Sequence, residues 1–166
     1  GLIAAVMPQG RFGACMLTKA SVYGKLSIAS EKPRFAGPVR LGELACPMEA
    51  MRLGESALAI DATFDQALDG AEGKAVLTSG PFGFGAITLT RAGGETRFVW
   101  RKEAFTAQYD LKARQFASAG LALGELAAKG ALRSQQNFVR LETEGDLAAR
   151  DLRTGPGFSD MLAALE

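Results

Sequence analysis

The sequence predicts a mainly β fold, an open curved antiparallel sheet (taco- or groove-like) or a flattened barrel, finished by a short C-terminal helix. Three observations predict it. Apolar residues recur with period two over many stretches, 20 glycines and 6 prolines break the 166-residue chain at short intervals, and few uninterrupted runs could hold a long helix. The clearest strand runs over 105–114: Phe105, Ala107, Tyr109, Leu111 and Ala113 point one way, and Thr106, Gln108, Asp110, Lys112 and Arg114 the other. That is one dry face and one wet face. A helix would scatter the same apolar residues around its circumference.

The same alternation recurs along the chain. Thr96, Phe98 and Trp100 oppose Arg97, Val99 and Arg101; Leu58, Ile60, Ala62 and Phe64 oppose Ala59, Asp61, Thr63 and Asp65. Leu126, Ala128 and Leu132 oppose Glu125, Lys129 and Arg133, while Val139, Leu141, Thr143 and Leu147 oppose Arg140, Glu142, Glu144 and Asp146. Further strands are expected over 23–29, 35–44, 74–79 and 84–90. Turn residues at 31–33, 69–73, Gly80-Pro81 and Ala92-Gly93-Gly94 suit hairpins or short loops. After Gly155-Pro156-Gly157, the stretch 157–166 reads as a short amphipathic helix with Ser159 or Asp160 as its cap. Leu41-Gly42-Glu43-Leu44-Ala45 returns as Leu123-Gly124-Glu125-Leu126-Ala127, and more loosely at 53–57, which suits a one-dimensional stack of strands.

Composition removes several function classes. Net charge is +1, with 19 basic and 18 acidic residues dispersed along the chain, so the basic block of a nucleic-acid binder is missing. The chain has no histidine, and with it go the usual general base and the commonest metal ligand. Cys15 and Cys46 stand far apart and outside any CxxC pair; a disulfide and two buried thiols are both open from sequence. The apolar run 1–7 is much shorter than a membrane-spanning helix and has no basic leader, so the chain is expected to start at an internal boundary.

The chemistry-bearing candidates each have a structural reading. Gly80–Gly85 is glycine-rich, but a strand and not a helix is expected after it, so it reads as a turn. Asp61 with Asp65 and Glu142 with Glu144 read as solvated carboxylates of wet faces. Ser21, Ser56 and Ser79 lack both a GxSxG setting and a histidine. What stands out is the dry face. Phe98, Trp100, Phe105, Tyr109, Leu111, Leu126, Leu132, Val139 and Leu141 form one long apolar strip if their strands are neighbours in order. Covered by a second layer, that strip is the core of an ordinary sandwich; uncovered, it is a groove.

The strand text of 116–133, 73–82 and 141–147 resembles that of the AsmA-like family, the TamB/YdbH-type bridge-like proteins of intermembrane lipid transport. The likeness spans roughly 35–166. It implies a single β-rich segment, 1–166, from a longer periplasmic protein tethered to the inner membrane by another segment. It implies non-enzymatic transfer of phospholipids between inner and outer membranes, with acyl chains as the partner, no cofactor, no metal and no catalytic residue. Many inward positions here are small, among them Ala107, Ala113 and Ala128. Edge-to-edge or face-to-face self-association is expected of such a segment. The alternatives are a scaffold or adhesion sandwich with a covered core and, last, a hydrolase using Ser with Lys or paired carboxylates.

Overall fold

The computed structural model describes residues 1–135 and 140–164. Its strands are β1 (Leu2–Phe12), β2 (Cys15–Ala29), β3 (Lys32–Leu41), β4 (Glu43–Cys46), β5 (Met51–Leu53), β6 (Ser56–Phe64) and β7 (Gly70–Ser79). There follow β8 (Phe82–Phe84), β9 (Ile87–Leu89), β10 (Arg91–Arg101), β11 (Ala104–Ser118), β12 (Leu121–Gln135), β13 (Arg140–Arg150) and β14 (Arg153–Thr154). All 14 hydrogen-bond into a single antiparallel sheet, and one short helix, α1 (Phe158–Ala163), ends the described chain. The expected mainly β, antiparallel architecture with a short C-terminal helix is what is found.

The 14 strands are nine ribbons. β3 and β4 are separated only by Gly42, β5 and β6 by Gly54-Glu55, β7 and β8 by Gly80-Pro81, β9 and β10 by Thr90, and β13 and β14 by Asp151-Leu152. Both halves of each ribbon run along the same neighbour: β3 and β4 along β2, β6 and β5 along β3 and β4, β7 and β8 along β6 and β5. The pairing order closes a ring through β10, β7, β6, β3, β2, β4, β5, β8, β9 and β11 because of these split ribbons. The sheet is an up-and-down meander and not an even barrel.

Pairing register is preserved across every break. Ser56 lies opposite Ser79 on one side of it, and Leu53 opposite Phe82 on the other. Each ribbon therefore carries the same extra residue at the same level. On the uncharged face successive apolar positions there are three apart instead of two: Leu41 to Leu44, Ala113 to Phe116, Leu123 to Leu126. An isolated bulge places two residues opposite one; here all strands shift together, so the line is a crease across the whole sheet. Lys19, Gln115 and Asp151 lie on it with φ of 53°, 52° and 56°. Backbone bonds hold it: Gly42 N–H donates to the Thr18 carbonyl (3.0 Å), Gly54 N–H to that of Pro81 (2.7 Å), and Gly80 N–H to that of Glu55 (2.7 Å).

The crease corrects several expectations. The three Leu-Gly-Glu copies all fall on it, so their recurrence encodes a local bend and not a repeating unit. Ala92-Gly93-Gly94 lies inside β10 instead of joining two strands. The stretch 84–90 is no single strand, because the chain reverses at Gly85 (φ +56°), a turn conformation that favours glycine, between β8 and β9. The start, not read as a strand from sequence, is β1. Neither Ser159 nor Asp160 caps α1; Gly157 occupies that place without a side-chain bond.

Little of this chain is sealed from water. The accessible surface is 11626 Å², against about 7,900 Å² for a compact monomer of 17.4 kDa. Only small residues dominate the buried apolar set, such as Ala62, Ala71 and Ala75.

Candidate functional site: an uncharged sheet face

Residues directly opposite in an antiparallel ladder share a face, so the registers assign every side chain a side. One row reads Leu58, Leu77, Gly94, Leu111, Ala128 and Leu147 across β6, β7, β10, β11, β12 and β13. Two rows along on the same face, past Ile60, Ala75, Thr96 and Tyr109, another reads Phe35, Ala62, Gly73, Phe98, Ala107, Leu132 and Thr143. The alternate rows are charged: Asp61, Lys74, Arg97, Gln108, Ala131 and Glu144 in one, Thr63, Glu72, Val99, Thr106, Arg133 and Glu142 in another. On the longer side of the crease, from β3 to β13, no charged residue stands in a row with the apolar ones. This sorting is the main feature of the molecule.

The residues named from sequence fall as follows. Phe98, Trp100, Phe105, Tyr109, Leu111, Leu126 and Leu132 share the uncharged face and are half-buried. Phe98 and Phe105 stack with centroids 6.3 Å apart and planes 18° from parallel. Trp100 donates its indole N–H to the Lys102 carbonyl at 2.7 Å, so its polar edge is satisfied at the hairpin and its ring is left to the apolar face. Tyr109 reaches over β12 at Gly130, where a Cβ would meet its hydroxyl, and that hydroxyl bonds Thr143 Oγ1 at 3.0 Å. Leu141 sits on the same face opposite Ser134 but is 59% exposed. Val139 lies outside the described residues.

Sequence reading missed the other side of the crease. There Leu17, Leu44, Leu53, Phe82 and Leu89 form a further half-buried row, and β11 and β12 add the opposed pair Phe116 and Leu123. The signal was present as apolar residues three apart within strand-like text, which a strict period-two search passes over.

The charged face holds the carboxylate candidates, and most are engaged. Asp61 accepts a bidentate pair from Arg34, Nε at 2.8 Å and Nη2 at 2.7 Å. That hydrogen-bonded guanidinium holds the Asp61 carboxyl below the usual carboxylate range. Asp65 lies 3.7 Å from Arg101, and Glu142 2.8 Å from Arg140. Depressions of about 810, 560 and 480 Å³ open on this side, each with charges of both signs along its lining. Ser56 Oγ donates to the Gly54 carbonyl (2.8 Å) and Ser79 Oγ accepts from Ala92 N–H (3.2 Å), so both serve the crease.

Cys15 and Cys46 are joined as a disulfide between β2 and β4. Glu49 lies near the two sulfurs, but sulfurs bonded to each other offer no thiolate to a metal. Among the described residues no helix is long and apolar enough to cross a membrane. No family model, curated protein or solved structure matches this chain.

Proposed function

We propose that the chain binds phospholipid acyl chains on the uncharged sheet face and passes them between inner and outer membranes as part of a longer periplasmic protein. The observation that carries this reading is the unbroken uncharged face across the meander, left without a covering layer of strands. Exposing a sixteen-carbon tail to water costs about 12 kcal/mol at ~0.8 kcal/mol per CH₂. A face of this kind offsets most of that, and it asks for no nucleophile, metal or histidine.

Scale supports the same reading. Nine ribbons at ~4.8 Å spacing make a face about 40 Å long, and the tails of one leaflet, half of a ~30 Å core, are about 15 Å deep. The face has room for more than one tail lying across the ribbons. Small residues, among them Ala62, Ala75 and Ala107, line its middle. The disulfide suits an oxidising compartment such as the periplasm. The resemblance to the AsmA-like family points the same way. The scaffold alternative needs a second layer over the face, which the single sheet and one short helix do not supply among the described residues.

The test is lipid extraction and native mass spectrometry of the purified chain, followed by photo-crosslinking to a tail-labelled phospholipid. Leu111→Asp is expected to abolish crosslinking, and Lys112→Asp, on the opposite face, to leave it nearly intact. Equal losses from both, or no lipid at any loading, would sink the proposal.

A further inference from the structure

The two rims of the sheet, where the chain turns from ribbon to ribbon, differ in a way that points to a partner. On the far side of the crease the ribbons are joined at 13–14, 47–50, 85–86 and 119–120, and these four connections hold one charge between them, Glu49. The described connections of the opposite rim, 30–31, 65–69 and 102–103, hold five: Glu31, Asp65, Asp69, Lys102 and Glu103. That charged rim is also tied together. Gln66 donates to Glu31, Arg101 pairs with Asp65 at 3.7 Å, and Lys102 N–H donates to the Asp69 carbonyl at 2.8 Å.

The other rim is apolar at its tips and basic just behind them. Pairing places Phe12, Cys15, Cys46, Met51, Phe84 and Ile87 in its last row on the uncharged face. Met48, on a connection between inner ribbons, is 84% exposed, more than any other large apolar side chain among the described residues. Phe84 and Ile87 are exposed as well. On the charged face, the row behind the tips runs from Arg11 through Arg52 to Arg153 and holds no acidic residue. All three arginines are exposed, and Arg52 alone of them is ion-paired among the described residues, with Glu43 at 3.3 Å. The connection at 119–120 is met by the chain leading into α1, where Gly155 N–H donates to the Gly120 carbonyl at 2.9 Å.

Single exposed apolar side chains are common on proteins. Here they stand in a line, with tips about 10 Å apart at two ribbons of ~4.8 Å, and cations without acids stand behind them. That arrangement complements a bilayer surface, where apolar groups reach the acyl boundary and arginines meet anionic headgroups. We infer that this rim docks on an anionic phospholipid membrane, with 13–14, 47–50 and 85–86 at the acyl boundary and Arg11, Arg52 and Arg153 against the phosphates. The opposite rim, with acids and bases interleaved, stays in water. The uncharged face runs out to the docked rim without meeting a charge, so docking opens that face to the bilayer. The membrane surface is a second partner, and this contact does not depend on single lipids binding to the face.

Co-sedimentation of the whole chain with vesicles of phosphatidylcholine and about one-third phosphatidylglycerol is expected to show binding that weakens as salt is added. Met48→Asp should weaken it about tenfold with the thermal midpoint unchanged. Arg11→Gln and Arg153→Gln should each weaken it about fivefold on these vesicles and leave binding to phosphatidylcholine alone as it was. Leu68→Asp, at a 60% exposed position of the opposite rim, should have no effect. Leu111→Asp should also leave docking intact, which separates it from uptake of single lipids by the face. An environment-sensitive fluorophore on Met48→Cys should shift to the blue with vesicles, and one on Leu68→Cys should not. Three results overturn the inference: no binding to either vesicle, as a rim made for a protein partner would give; binding indifferent to the Met48 and Arg11 substitutions; or binding lost with Leu111→Asp.

Discussion

β11 and β13 carry the same kind of text and meet different fates. In β11 the alternation of Phe105, Ala107, Tyr109 and Leu111 with polar residues becomes an alternation of half-buried or buried against exposed. In β13 Leu141, Thr143, Gly145 and Leu147 alternate with charges in the same phase, yet every residue is exposed. β11 has β10 and β12 beside it, whereas among the described residues β13 has only β12 along its length. Side chains on a sheet with no second layer are shielded by those on neighbouring strands. Pattern therefore assigns a face, and the number of neighbours assigns burial.

Substitutions can break that comparison. Ala107 is buried between Phe98 and Leu132 in register. Ala107→Glu is expected to cost about 4 kcal/mol by placing an unpaired charge there, against ±0.5 for Leu147→Glu on the 75% exposed side chain of β13. Urea unfolding measures both. Similar losses at the two sites would mean that β13 is covered in solution.

Removing the disulfide sharpens the contrast from the other side of the sheet. The bond closes a separation of 31 residues, and Cys15→Ser with Cys46→Ser should lower stability by about 3 kcal/mol. Amide exchange should quicken in β2 and β4 and stay unchanged in β13, since no pairing joins them directly. Uniform quickening would show that the ribbons open as one unit and not locally.

The smallest effect belongs to the charged face. The Arg34 hydrogen bond depresses the folded-state pKa of Asp61 below its unfolded value. The stabilisation from that pair is present above the unfolded carboxylate value and is lost as pH falls through the folded one. Arg34→Gln should lower the thermal midpoint slightly at neutral pH, and the difference from wild type should vanish in acid. Because the pair is exposed to solvent, added salt should shrink it as well. A difference that persists in acid would assign the loss to packing of the Arg34 stem.

Much of the fold was legible beforehand. The strand over 105–114 could be read because it keeps a strict two-residue phase, and those over 96–101, 58–64 and 126–133 because they keep it in most positions; a strand has that period and a helix does not. Seven of the nine residues of the apolar strip fell on the shared face at half-burial for the same reason. β1 was not legible, because Leu2–Met7 is apolar on both faces and has no phase to detect. The segment 84–90 misled because Gly85 reverses the chain inside continuous strand-like residues.

Residue order thus determined which side of each ribbon is dry, since alternation follows from backbone geometry within a single strand. The crease and the disulfide partner were decided only by assembly. Each depends on which ribbon lies beside which, a relation between residues tens of positions apart that no local period records. The extra residue at the crease acts as a bend only because every neighbouring ribbon carries one at the same level, with hydrogen bonds between them to hold the line.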